Sequence, residues 1–262
     1  PQRGRVMQAL ILAGGEGTRL RPLTSTVPKP VVPLVDRPFI RFMLDWLRSH
    51  GVDDVVVSCG HLASGVRNVL GDGSAYGLRL RYVEEPRPLG TGGALKFAES
   101  LLVERFLVLN GDVLTDMDLT AELSRHEEAG AKARLALIAV EDTPSSGVVP
   151  THDDGWVLEF LEKSDGPAPT NRINAGAYVL ERSVVEDIPS GRAVSFEREV
   201  FPELVGNGLL GWNAAGYWVD FGTPERYLEA TYDLLAGEPA SKLPPRDETG
   251  SLIGEGCLTA GA

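Results

Sequence analysis

The chain is poor in the groups that most often announce a function. Two cysteines among 262 residues, Cys59 and Cys257, are too few for a disulfide scaffold. The four histidines, His50, His61, His126 and His152, show none of the pairing of zinc ligands. No run approaches the roughly 18 apolar residues of a membrane span, and the N-terminal stretch lacks the apolar core of a signal peptide. Positive charge is in deficit: 25 Lys and Arg against 37 Asp and Glu leave a formal net charge of −12 at pH 7. A field of that sign repels polyanions, which excludes general nucleic-acid or anionic-membrane binding. Any phosphate held here must therefore meet a locally basic patch or a metal. A Gly-x-Ser-x-Gly elbow is missing, and no serine or cysteine is placed as a nucleophile. Internal repeats and long linkers are missing as well. These absences favour a cytoplasmic protein, with Met7 a candidate start. The apolar share of 43% and charged share of 24% suit one large α/β domain with a substantial core.

Against this background one glycine-rich stretch stands out. Leu12-Ala13-Gly14-Gly15-Glu16-Gly17-Thr18-Arg19-Leu20-Arg21-Pro22-Leu23, closed by Pro28-Lys29-Pro30, follows the apolar strand Ala9-Leu10-Ile11-Leu12. A short apolar run stopped by glycine reads as a buried parallel strand. Bare amides after it form an anion cradle, and Arg19 and Lys29 neutralise charge from the side, which suits a nucleoside triphosphate. Residues 18–20 have room to begin a helix, and Pro22 and Pro28 are expected to keep the next dozen residues largely extended. Two familiar phosphate loops do not fit. A Walker loop needs a Gly-Lys-Ser/Thr that is not there, and a dinucleotide fingerprint needs a third glycine where Leu20 stands. A glycine-rich turn with a surface arginine accounts for Gly14-Gly15-Glu16-Gly17 alone, but not for the extension to Pro30.

The first half alternates strand and helix. Helices are expected over 39–50, stopped by Gly51, and over 62–70, 93–101 and 119–129; strands are expected over 55–57, 78–83, 106–109 and 134–140. That order implies a Rossmann-like, open, mostly parallel sheet of the α/β class. In the second half strands are expected at 148–149, 157–160 and 175–180, and helices over 195–205 and 224–235. Residues 1–237 read as one domain and 238–262 as a tail. Within the tail, 251–257 resembles one coil of a hexapeptide β-helix, which cannot bury its own face.

Asp112 follows Gly111 at the carboxyl end of the fourth expected strand, the edge where open α/β sheets bind ligands. A carboxylate facing a triphosphate requires a divalent cation between them, and Mg²⁺ takes one or two carboxylates plus phosphate oxygens and waters. Asp220, in Trp218-Val219-Asp220-Phe221-Gly222, is the second candidate. Either aspartate alone also suits a turn or a helix cap, which is how Asp116 and Asp118 are read. The segment Glu84-Glu85-Pro86-Arg87-Pro88-Leu89-Gly90-Thr91-Gly92-Gly93-Ala94 has glycines that permit close approach of a flat ligand, or simply form an exposed turn. Glu162-Lys163 by itself is an ordinary surface charge pair.

Together these segments resemble the sugar-1-phosphate nucleotidylyltransferases, or NDP-sugar pyrophosphorylases, from about Gln8 to about Leu235. The resemblance is strongest to guanylyltransferases acting on mannose or heptose 1-phosphate. It implies a GT-A-like nucleotide-diphospho-sugar transferase fold with Leu12, Ala13, Gly14, Gly15, Gly17, Thr18 and Gly111 around the nucleotide. It also implies Arg19 and Lys29 as catalytic groups and Mg²⁺ on Asp112 and Asp220. Glu85, Gly90 and Thr91 would contact base and ribose, and a carboxylate at Glu85 matches the N1–H and 2-amino donors of guanine, which favours GTP. By the same resemblance Glu162 would bind sugar hydroxyls and Lys163 the sugar phosphate, with Asn174 and Ala175 in a sugar-binding turn and Gly147 under the ring. Ser146 stands where the family often has an aromatic residue, which leaves the sugar open. The partners implied are a nucleoside triphosphate and a sugar 1-phosphate, with self-association left open. Three alternatives remain: UTP, dTTP or ATP with a glucose or cyclitol 1-phosphate; a non-catalytic regulatory subunit that binds NDP-sugar; and a molybdopterin-type nucleotidylyltransferase. Retention of Arg19, Lys29, Asp112 and Asp220 weighs against the second, and Glu162-Lys163 with the Asn174 turn against the third.

Overall fold

The valine- and leucine-rich runs of the first half assemble into a sheet buried on both faces, in a computed structural model that describes residues 7–60, 63–141, 147–161 and 168–239. His61, Ser146, Glu162, Lys163 and the coil at 251–257 lie outside the described residues. In chain order the strands are β1 (Met7–Ala13), β2 (Pro33–Leu34), β3 (Arg37–Pro38), β4 (Val52–Cys59), β5 (Arg79–Glu84), β6 (Arg105–Asn110), β7 (Val113–Thr115), β8 (Ala133–Ala139), β9 (Arg172–Glu181), β10 (Leu209–Asn213) and β11 (Trp218–Asp220). The α-helices are α1 (Phe39–Ser49), α2 (Ala63–Leu70), α3 (Gly90–Ala98), α4 (Leu119–Ala129), α5 (Arg182–Glu186), α6 (Phe201–Leu204) and α7 (Pro224–Ala236).

Seven strands form one sheet in the order β10-β8-β9-β6-β1-β4-β5, parallel except for β9, which runs antiparallel to both β6 and β8. Alternation along the central strands builds two cores. Ile11, Val57 and Leu109 pack with α1, α4 and α7, whereas Leu10, Val56 and Val108 pack with α3, α5 and α6. Pairing of Ala13 with Cys59, Leu12 with Asn110 and Cys59 with Glu84 brings the ends of β1, β4, β5 and β6 to one rim. The chain reverses its direction of strand addition between β1 and β6, and such a point opens a crevice at the carboxyl edge. Among the described residues no helix is long and apolar enough to cross a membrane.

Several local expectations need correction. Residues 21–27 are not extended; they fold into turns, with Leu23 N bonded to Leu20 O and Ser25 N to Pro22 O, and Lys29–Val31 form a 3-10 turn. A proline's fixed φ suits the start of such turns as well as it suits extended chain. The strands expected at 148–149 and 157–160 are only isolated bridges, such as Val148 with Leu161 and Thr151 with Val157. Gly155, at φ +94, turns the chain between them before a ladder can grow. The helix expected over 195–205 splits into a π turn (Phe196–Val200) and α6. The π turn closes with Phe201 N donating to Phe196 O, and α6 restarts with Pro202 in its first turn, where a missing N–H costs little. Strands β7 and β10 were not expected: β7 is three residues long, and Gly211 interrupts the pattern of β10.

Helix α4 begins as the sequence suggests. Asp118 caps it, accepting from Thr120 N at 3.0 Å and Ala121 N at 3.1 Å. Its inner face carries an unusual charge cluster: Glu122 is 2% exposed, and neither carboxylate oxygen has a hydrogen-bond partner, while Arg134 Nε stands 3.4 Å away. Burial pushes the Glu122 carboxyl up to about 8, against the opposing pull of Arg134. The folded state therefore holds this proton where the unfolded chain, at about 4.3, has released it. The stability it confers is complete below that value and is lost as pH rises towards 8. Thermal unfolding from about pH 4 to about pH 8 should show a falling midpoint for the wild type and a shallower fall for Glu122→Gln; equal slopes would refute the assignment.

Candidate functional site

Two cavities open at the rim and meet at Asn110 and Asp112. The first, of about 470 Å³, is lined by Leu12, Ala13, Gly14, Gly15, Gly17, Thr18, Arg19 and Lys29 from the first loop, by Glu85, Gly90 and Thr91, and by Gly111. Every residue expected around the nucleotide thus faces one space. Gly17 has φ +62, and a side chain on it would meet Thr24 and Lys29 at 3.0 and 3.1 Å; the loop folds back tightly there, held by Thr24 Oγ1 donating to Gly17 O. Gly15 has nothing within 4 Å of where a Cβ would stand, so the open floor of the cradle is built from its backbone.

Gly90 lines the first cavity, and Gly90, Gly92 and Gly93 also dock on another part of the chain. Their missing side chains make room for another part of the chain: Cβ atoms there would stand 2.5, 3.4 and 2.9 Å from Val194 O, Val194 O and Arg192 O. The amides of Gly92 and Gly93 donate to Val194 O, and Val194 N donates to Leu89 O. The glycines at the start of α3 therefore dock it on residues 192–194. Glu85 is likewise held from both sides, Oε1 accepting from Ser58 Oγ and Oε2 from Leu89 N, each at 3.1 Å. Burial raises its pKa, and these two donors work against the rise.

The charged centre lies at the junction. Lys29, 8% exposed, donates from Nζ to Asp112 Oδ2 at 2.7 Å and lies 5.1 Å from the centre of the Phe221 ring. Pairing of β11 with β7 sets Asp220 opposite Val113, and Phe221 N donates to Asp112 O at 3.1 Å, so both aspartates stand at one point. Burial, and then the Asp112 charge, push the pKa of Asp220 up, while Lys29 and Arg19 pull it back. The Arg19 guanidinium lies beside Gly222, next to Asp220 Oδ1. Two carboxylates that disfavour each other's charge fit a divalent cation. Among the described residues no cluster of three or more acidic, histidine or cysteine ligands exists, and a two-carboxylate site matches Mg²⁺, which takes its other oxygens from phosphate and water.

The second cavity, of about 550 Å³, is lined by Gly147, Asn174, Ala175, Asp220 and Trp218, and by Ser195, Glu197 and Arg198. A bulge in β9 shapes it. Leu137 pairs with Asn174 and Leu135 with Tyr178, so four steps on β9 face two on β8, and Gly176 at φ +74 turns the extra residues into the cavity. Asn174 is largely committed to this bend: Oδ1 accepts from Gly176 N and Nδ2 donates to Tyr178 Oη, both at 2.9 Å. Trp218 forms the facing wall and donates from Nε1 to Ala175 O. Glu162 and Lys163 fall outside the described residues. Asn110 and Glu197 were not anticipated. Asn110, polar at the end of an apolar strand and next to Gly111, carried a signal; Glu197 carried none.

Comparison with known proteins places this geometry. The chain is 43% identical over 235 residues to mannose-1-phosphate guanylyltransferase of Mycobacterium tuberculosis, covering 88% of this chain and 65% of that protein. It is 37% identical over 249 residues to UTP–glucose-1-phosphate uridylyltransferase of Synechocystis, covering 88% and 64%. The chain thus spans somewhat less than two thirds of either relative. A crystal structure of HddC from Yersinia pseudotuberculosis complexed with GMP-PN superposes with a TM-score of 0.76 at 28% identity, covering 87% of this chain and all of that one. The nucleotidyl transferase family model matches residues 8–237, a span that contains both cavities and the charged centre between them, and the chain belongs to that family.

Proposed function

We propose that this chain transfers a guanylyl group from GTP to a sugar 1-phosphate, giving an NDP-sugar and pyrophosphate. The observation that carries the reading is the meeting of two cavities, of about 470 and 550 Å³, at a charged centre that both share. One cavity has the backbone cradle and cations for a triphosphate; the other has the polar groups and aromatic wall for a sugar. An oxygen of the sugar phosphate bonds to the α-phosphorus as the bond from that phosphorus to the β-phosphate oxygen breaks, and pyrophosphate leaves with the electron pair. The attacking phosphate is already ionised at neutral pH, so no base is needed. Rate enhancement then comes from alignment and from fixed charge.

On this reading Leu12, Ala13, Gly14, Gly15, Gly17, Thr18 and Gly111 surround the phosphates and ribose, Arg19 grips the terminal phosphates, and Lys29 swings its ammonium between Asp112 and the α-phosphate. Gly90 and Thr91 flank the nucleotide, while Gly147, Asn174 and Ala175 line the sugar, joined by Glu162 and Lys163. Asp112 and Asp220 would hold Mg²⁺, which supplies charge neutralisation to the phosphate oxygens when bound. Self-association stays outside this reading, and a cytoplasmic setting suits the buried free thiol Cys59, whose pKa burial raises to about 12. The preference for guanine rests on the relative from Mycobacterium tuberculosis and on Glu85; the relative from Synechocystis supports a uridylyl alternative.

With GTP and mannose 1-phosphate, Lys29→Ala and Asp112→Ala should each lower turnover about 10²- to 10³-fold, the cost of removing one transition-state electrostatic partner. Pyrophosphate release measured over a panel of triphosphates and sugar 1-phosphates tests this; near-normal release from either variant would overturn the mechanism. Removal of divalent cations with EDTA should stop the reaction and added Mg²⁺ restore it, whereas turnover in excess EDTA would exclude the carboxylate site. Glu85→Gln should reduce the preference for GTP over ATP about tenfold, because a carboxylate matched to two donors is lost. An equal fall for both nucleotides would instead assign Glu85 to holding the loop through Ser58 and Leu89.

A further inference from the structure

Among the described residues the sugar cavity has few free acceptors. A sugar ring presents several hydroxyl donors, yet Asn174 Oδ1 is used by Gly176 N, and Ser195 Oγ accepts from Arg198 N while donating to Glu197. Tyr178 Oη accepts from Asn174 Nδ2 and also bonds the Asn110 side chain. Asp112 and Asp220 belong to the charged centre. Glu197 differs from all of these. Its Oε2 accepts from Ser195 Oγ at 2.8 Å and from Thr91 Oγ1 at 3.3 Å, which fixes the carboxylate plane. Its Oε1 has no hydrogen-bond partner among the described residues, and the side chain lines the second cavity. The π turn Phe196–Val200 supplies this placement, since Phe196 N is itself held by Thr91 Oγ1 at 2.8 Å.

We infer that Glu197 is a specificity-determining residue for the sugar, its Oε1 accepting a hydrogen bond from one ring hydroxyl in the second cavity. The inference rests on the proposed transferase reading and deepens it. Anchoring one oxygen and leaving the other free is what fixed recognition of a single hydroxyl requires: the acceptor is oriented before the ligand arrives, and little ordering cost falls on binding. A site built to accept from a hydroxyl disfavours the analogue lacking it, because the half-buried carboxylate oxygen then stays unpaired. The same anchor ties sugar recognition to α3, since Thr91 lines the nucleotide cavity and touches Glu197 from the other side.

The test measures pyrophosphate release at saturating GTP for wild type, Glu197→Ala and Glu197→Gln. The substrates are mannose and glucose 1-phosphates and the monodeoxy analogues of whichever the wild type uses better. In the wild type one deoxy analogue should lose about 10- to 100-fold in kcat/KM, the range for a hydrogen bond to a charged group. Glu197→Ala should lose a similar factor on the parent sugar and nothing further on that one analogue, while the KM for GTP moves less than about twofold. Glu197→Gln, which keeps the shape and one acceptor, should fall between, and it carries the test if the alanine variant does not fold. A variant-to-wild-type ratio that is the same for every analogue, or a loss confined to the KM for GTP, would overturn the assignment and leave Glu197 as a support for Thr91. No release from the wild type with any sugar 1-phosphate would overturn the transferase reading itself, and this inference with it.

Discussion

Asp112 is the point on which the rest of the rim depends. Its carbonyl accepts from Phe221 N, its carboxylate holds Lys29 at 2.7 Å, and its position at the end of β6 puts it in the wall of both cavities. Segments around residues 29, 112 and 221, far apart in the chain, converge on one residue. The ion pair is a modest contributor to stability. Breaking a fully buried pair costs about 3–5 kcal/mol, and the Asp112 side chain is 31% exposed, so screening brings this pair below that range. Its weight is geometric. Lys29 lies over Phe221, Phe221 packs on Phe39 with ring centres 3.9 Å apart, and Phe39 opens α1 against the core. The cation proposed to serve chemistry is therefore positioned by apolar packing on one side and by a carboxylate on the other.

The parallel half of the fold and the first loop were readable because their causes are local. A valine run buried on both faces, a glycine at its end and a cation a fixed distance along the chain all leave marks within a dozen residues. Asp118 as a cap is the same kind of case. The features that escaped have causes distant in sequence. Nothing near Gly90 says that Val194 will press against it, so the close packing of these two chain segments leaves no local mark. The antiparallel course of β9 and its bulge follow from partners in β6 and β8, and Asn174 reads as a free amide until Gly176 and Tyr178 are seen to use it. Glu197 sits in a stretch of alternating charge and looks like surface until the π turn is seen to hold it against Thr91.

The clamp between α3 and residues 192–197 joins the two cavities mechanically. Five hydrogen bonds cross it: Gly92 N and Gly93 N to Val194 O, Val194 N to Leu89 O, Phe196 N to Thr91 Oγ1, and Thr91 Oγ1 to Glu197 Oε2. The three glycines leave no side chain to act as a spacer, so α3, which carries Thr91, sits directly against the wall that carries Ser195 and Glu197. On the proposed reading, nucleotide and sugar phosphate must be aligned along one line of displacement, and an error of about 1 Å in either is costly. A rigid tie between their two walls meets that requirement more directly than two independent sites would.

On the proposed reading, charge balance gives the centre its selectivity. Arg19 and Lys29 face Asp112 and Asp220, so the four formal charges cancel where two phosphate-bearing molecules are to meet. A neutral centre inside a chain of net charge −12 has little attraction for an anion on its own. Adding a dication turns the same four groups into a net positive centre, and only then does it match the phosphates. Two carboxylates without the two basic groups would bind the dication but leave the phosphates with no fixed partner; two basic groups without the carboxylates would trap phosphate, including the product pyrophosphate, with no dependence on metal. On the proposed reading, the pairing of both kinds of charge would link nucleotide binding to the cation and keep product release attainable, so the aspartate just beyond β6 and the lysine after the glycine loop would act as a single device.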